Sequence, residues 1–136
     1  MVRYIVVSLG GGILFGVMDG LINANPLATR LHEVYRPIAR ASLNVVAGSL
    51  IDIAYGFILA GIFLILYEGL PGQSGIVKGL SYALAIWFFR VVMSAASTWV
   101  MFNVPAQTIW YGLIAGLVEM LVLGILFGVT LKPFTL

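Results

Sequence analysis

The chain has no cysteine, one histidine, and charged side chains at only 9% of its 136 positions. Without cysteine there are no disulfides, no thiolate chemistry and no cysteine-ligated metal or cluster. A lone His32 leaves no second imidazole for bis-histidine haem ligation, and no ligand cluster for zinc stands near it in sequence. Ser94 and Ser97 lack a histidine base, and the few acidic residues form no recognisable glycosidase pair. The net charge of +2 rests on seven Lys and Arg, too few and too scattered for a nucleic-acid surface. No enzymatic activity, catalytic residue, cofactor, bound metal or nucleic-acid partner is expected.

What fills the chain instead is apolar. Hydrophobic residues make up 62% of it, with a mean hydropathy of +1.11. A soluble domain has roughly a quarter of its residues charged and could not bury this much apolar surface at this length. The expected fold class is an all-α integral membrane protein: about four transmembrane helices in one up-down bundle, residues 1–136 forming a single domain. The spans fall at about 4–22, 43–67, 79–102 and 108–131. Each is long enough to cross a hydrocarbon core of roughly 30 Å.

The punctuation between spans supports this layout. Arg3 before an apolar run resembles the start of a signal peptide, but a glycine stripe and Asp19 are poor features for a discarded segment, so a retained first helix is expected. Asn23-Ala24-Asn25-Pro26 suits one helix end and the next helix start. Residues 26–40 then read as a short amphipathic interfacial helix. Leu27, Leu31, Val34 and Ile38 share an arc, and Thr29, Glu33, Arg36 and Arg40 oppose it, with Arg30, Arg36 and Arg40 among lipid phosphates and Pro37 kinking or breaking it. A docking surface for a partner protein is the alternative. Asn44 reads as a cap for the second span, and Pro71-Gly72 as a turn. Trp99, Phe102, Trp110 and Tyr111 suit an aromatic belt at one face, and Tyr4, Tyr67, Tyr82 and Phe134 at the other. Basic residues balance, Arg3, Lys78 and Lys132 against Arg30, Arg36 and Arg40. The positive-inside comparison is therefore tied, and only the even number of spans tips both termini towards the cytoplasm.

Glycines recur at helical spacing. Ser8, Gly12, Gly16 and Gly20 make one stripe, Gly48, Gly56 and Ala60 a second, and Gly112, Gly116, Gly124 and Gly128 a third. In a bilayer such small-residue rows let helices approach closely. Gly12, Gly16, Gly20, Gly48, Gly56, Gly112 and Gly116 are the expected packing positions. The hexapeptide GILFGV occurs at 12–17 and again at 124–129, an echo that a composition rich in Gly, Leu and Val also produces by chance.

Every span carries a charge: Asp19, Asp52, Arg90 and Glu119. Each costs roughly 2.5–3.5 kcal/mol at the bilayer centre, so partners are needed. Arg90 is expected to pair with Glu119 or Asp52, with Ser94 and Thr98 one and two turns away and Asp19 about two turns off centre. Such a pair is either a clamp that fixes helix register or a polar site for an ion or solute. Two functions follow. One is a small homo-oligomeric transporter or channel using Asp52, Arg90, Glu119, Asp19, Ser94 and Thr98. The other is a non-catalytic accessory subunit docked into a larger membrane complex through its glycine stripes. The expected partners are the lipid bilayer and either further copies of the chain or other membrane subunits.

Overall fold

The computed structural model describes residues 1–39, 42 and 44–133, and these contain helices and no strand. Four helical stretches are long and apolar enough to cross a membrane: Val2–Ala24, Val45–Gly69, Gly75–Met101 and Ala106–Thr130. They contain the long helices α1 (Val2–Ala24), α3 (Val45–Leu66) and α6 (Ala106–Thr130). The third span is composite. Helix α4 (Gly75–Trp87) passes through a π-helical turn, Phe88–Val92, into α5 (Met93–Met101).

Local chemistry explains the boundaries. Asn25 caps α2 (Pro26–Leu31) by accepting from the Ala28 amide at 2.8 Å, with Pro26 in the first helical position. There its missing N–H costs nothing. Asn44 caps α3 by accepting from Ala47 at 3.0 Å, and Ser74 caps α4 by accepting from Val77 at 3.2 Å. Gly72 has a φ of +104°, a turn conformation that a Cβ disfavours.

The connector is not one amphipathic α-helix. After six residues α2 gives way to a 3-10 helix, Glu33–Ile38, that contains Pro37. A proline inside a helix removes a backbone donor and clashes one turn back. Along its expected apolar arc Leu31 is half-buried, while Leu27, Val34 and Ile38 are exposed. Arg30 and Arg36 are exposed, Arg36 paired to Glu33 at 3.3 Å. Arg40 lies outside the described residues, as do Leu43, at the expected start of the second span, and Phe134.

Neighbouring spans run antiparallel. Gly12 and Gly16 of α1 meet Ile53 and Asp52 of α3 in reversed order, and Gly75 and Gly79 of α4 meet Gly128 and Gly124 of α6 likewise. The core lies towards the end of the bundle that holds the start of α1 and the end of α6. Phe63, Tyr82 and Phe127 stack there with Leu59, Leu123 and Leu131. The glycine contacts explain why this end closes. A Cβ on Gly79 would run into the Gly124 carbonyl oxygen, and one on Gly75 into that of Gly128. Backbone therefore packs on backbone, and the large rings fill the space beside it.

One expected belt residue, Tyr82, belongs instead to this interior, and Tyr4 is half-buried beside it. Tyr82 is buried and its hydroxyl donates to the Leu59 carbonyl at 2.6 Å, while Tyr4 donates to that of Phe57 at 2.8 Å. A phenol inside an apolar bundle needs an acceptor, and a helix carbonyl is the nearest available. Lys78 is buried too: its ammonium donates to the carbonyls of Tyr67 (2.8 Å) and Leu70 (3.0 Å) and lies 4.9 Å from the Tyr67 ring centre. The basic group thus caps the helix end after α3.

The other end of the bundle is open. Helix α5 has no buried residue, and α3 has none before Gly56.

Candidate functional site: a polar cleft between the helix pairs

The opening follows from the π turn. Helix α4 lies close along α6, whereas α5 touches it only lightly. A π turn adds a residue to the helical repeat and redirects the face beyond it, and such turns are frequent at functional sites. At the junction the Trp87 indole donates to the Leu113 carbonyl at 2.9 Å, which pins the third span to α6 just before the two separate.

Between them lies a cavity of about 430 Å³. Arg90 and Glu119 line its inner part, Ser94 and Thr98 its α5 wall, and His32 and Tyr35 of the connector its mouth. Gly112 and Gly116 border it as well. The connector is fastened over this end by polar contacts. The Tyr111 hydroxyl donates to the Ile22 carbonyl and accepts from the Asn25 amide at 2.9 Å, and Thr108 donates to the Leu31 carbonyl. The His32 ring packs on the rings of Tyr35 and Tyr111, with centroids 5.9 Å away in both cases.

Arg90 is held by aromatic faces. Its guanidinium carbon lies 5.1 Å from the Phe15 ring centre and 5.0 Å from that of Tyr55. It forms no ion pair with a described carboxylate, so the expected direct pair with Glu119 or Asp52 is replaced by two cation–π contacts. The carboxylates remain its electrostatic neighbours. Glu119 interacts with Arg90, Asp52 and Asp19, the Asp19 carboxyl lying within hydrogen-bonding range. Asp52 in turn interacts with Asp19 and Arg90. All four charges expected within the spans therefore belong to one cluster, and Asp19 stands within it beside Glu119. Among the described residues no group of three acidic or histidine side chains is placed to hold a metal ion. Glu119 is 5% exposed, and its Oε2 is buried without a hydrogen-bond partner.

The glycines sort into two kinds. A Cβ on Gly12 would stand 2.7 Å from the Ile53 Cα, one on Gly56 would strike the Ser8 carbonyl, and one on Gly116 would meet the Val91 methyls at 2.8 Å. Gly16 makes room for a charge: its Cβ would lie 3.1 Å from Asp52 Oδ2. Gly20, Gly48 and Gly112 have open space where a Cβ would be, and Gly112 faces the cleft. The expected packing position Gly56 is as tight as Gly124, and equally close or closer backbone contacts stand at Gly75, Gly79 and Gly128, outside the expected packing set.

Comparison with protein-family models, with curated proteins and with solved structures gives no match. The functional reading therefore rests on the cleft itself. Its aromatic supports, Phe15 and Tyr55, are not marked by any charge pattern in the sequence. The nearest signals are Tyr55 three residues after Asp52 and Phe15 inside the repeated hexapeptide, whose second copy also buries its phenylalanine, Phe127.

Proposed function

We propose that the protein is a small multi-pass membrane transporter or channel that passes an ion or small polar solute through this cleft, and that it works as a homo-oligomer rather than as an enzyme. One observation carries the reading. Four helices otherwise suited to lipid enclose about 430 Å³ bordered by Arg90, Glu119, Ser94 and Thr98. Charges inside a membrane are costly and mark solute or ion paths when they face a cavity. The aromatic core at the opposite end of the bundle blocks a straight passage through one copy, so transport requires either movement of the two helix pairs or a second copy. The uncovered apolar walls of α5 and the first half of α3 supply a surface for that copy.

The same walls favour a second reading, a non-catalytic subunit of a larger membrane complex. Solute flux into proteoliposomes of the purified chain tests the first reading. Flux that Arg90→Leu abolishes, and that Gly112→Trp abolishes by filling the cleft, supports transport. A chain that is inert alone and purifies from its native membrane in fixed stoichiometry with other subunits supports the accessory role.

A further inference from the structure

We infer that the cleft recognises a small zwitterion, an acidic group and an ammonium on one short skeleton, with the acidic end on Arg90 and the ammonium on Glu119. This names the solute class for the transport reading above and rests on it only for the consequence of binding.

Two groups with unmet hydrogen-bonding capacity, a guanidinium and a carboxyl, line one cavity. Arg90 donates no hydrogen bond to a described residue and forms no ion pair with a described carboxylate; its close contacts are the Phe15 and Tyr55 rings. The rings offset its charge but accept none of its in-plane N–H groups, which form a planar fork suited to two acceptor oxygens. Glu119 has the reverse need. It is 5% exposed, its Oε2 has no donor, and the acidic Asp19 is among its polar neighbours. A buried oxygen without a donor is costly, and an ammonium would supply both proton donors and the opposite charge. A simple anion would satisfy Arg90 and add repulsion near Asp19, Asp52 and Glu119. A simple cation would satisfy Glu119 and leave the N–H groups of Arg90 unmet. A solute carrying both groups meets both needs without changing the net charge of the site. The cavity lies towards the small end of the roughly 300–1,000 Å³ typical of ligand pockets, which suits a molecule of amino-acid size. Ser94 borders the same space and offers a further polar group.

A free amino acid and an ethanolamine phospholipid headgroup share this chemistry, and the test separates them. Calorimetric titration of the purified protein in phosphatidylcholine nanodiscs with glycine, β-alanine and γ-aminobutyrate is compared with acetate and ethylamine. At least one zwitterion is expected to bind at least about tenfold tighter than either half-molecule. Glu119→Gln, close in shape, is expected to reduce the preference for the zwitterion over acetate to within about threefold. Arg90→Leu is expected to do the same for the preference over ethylamine. Melting temperature confirms that each variant is folded. If ethanolamine lipid in the disc abolishes amino-acid binding, the headgroup is the source; if binding is unaffected, the free solute is. Binding confined to the ethanolamine headgroup, seen as displacement by soluble phosphoethanolamine, also supports the inference. No zwitterion binding tighter than its halves from either source, or a folded Glu119→Gln that keeps the full preference for the ammonium, overturns it. Flux is not part of this readout, so a chain that binds zwitterions but moves nothing would refute transport and leave the recognition intact.

Discussion

Gly79 of α4 and Gly124 of α6 touch through backbone alone: a Cβ on either would overlap the other's carbonyl oxygen. No flexible side chain at this contact can give way. Gly79→Ala and Gly124→Ala should each destabilise the protein by about 1–3 kcal/mol, the usual cost of overpacking a close contact. Gly20→Ala and Gly48→Ala, with open space at the added methyl, should be neutral or stabilise by up to about 1 kcal/mol through helix propensity. Thermal unfolding of the four variants in one detergent checks the ordering.

Gly12 and Gly16 lie one turn apart and should differ. A methyl on Gly12 meets the backbone of Ile53, whereas one on Gly16 meets the mobile end of Asp52. Gly12→Ala should therefore cost more than Gly16→Ala, which a shift of the aspartate can accommodate at under about 1 kcal/mol. Gly16→Leu exceeds what that shift provides and should destabilise strongly. Equal melting temperatures for Gly12→Ala and Gly16→Ala would contradict the close approach of α1 and α3.

Arg90 and Glu119 share the cleft without forming an ion pair. Breaking a direct buried pair costs roughly 3–5 kcal/mol. A double-mutant cycle with Arg90→Leu and Glu119→Gln should instead show a coupling of about 1 kcal/mol or less. Tyr55→Leu, which removes one of the rings over the guanidinium, should cost about 1–2 kcal/mol in cycle with Arg90→Leu. Denaturation followed by circular dichroism gives both couplings. If the larger one joins Arg90 to Glu119, the guanidinium is held by charge and not by rings.

Lys78 holds two carbonyls at the end of the second span, those of Tyr67 and Leu70. Lys78→Met keeps the length of the side chain and removes its donors, leaving both acceptors unmet. A loss of about 2–3 kcal/mol is expected, read as a lowered melting temperature.

Tyr111 fastens the connector by a hydrogen bond to Ile22 and another from Asn25. Tyr111→Phe should cost about 1 kcal/mol in global stability but loosen residues 26–38 selectively. Faster limited proteolysis within that segment, with the long helices still protected, is the expected result. An unchanged cleavage pattern would mean that Thr108 and its contact to the Leu31 carbonyl suffice.

The sequence by itself determined the features that are local or additive. The number of apolar helices follows from summed hydropathy. The caps at Asn25 and Asn44 and the turn at Gly72 depend on residues within one turn of chain, and each was legible for that reason. Tertiary structure alone decided which way each helix faces. A span that is apolar all round has no polar face to orient it, so a glycine row records that close approach is possible but not whether a neighbour comes. That is why Gly112 borders a cleft while Gly124 meets a backbone. The partners of Arg90 depended on the same unrecorded rotation, together with a π turn that no residue pattern announces. Charge alone pointed to a carboxylate. Packing placed Phe15 and Tyr55 over the guanidinium, and so left Arg90 without an ion pair and Glu119 Oε2 without a donor in one cavity.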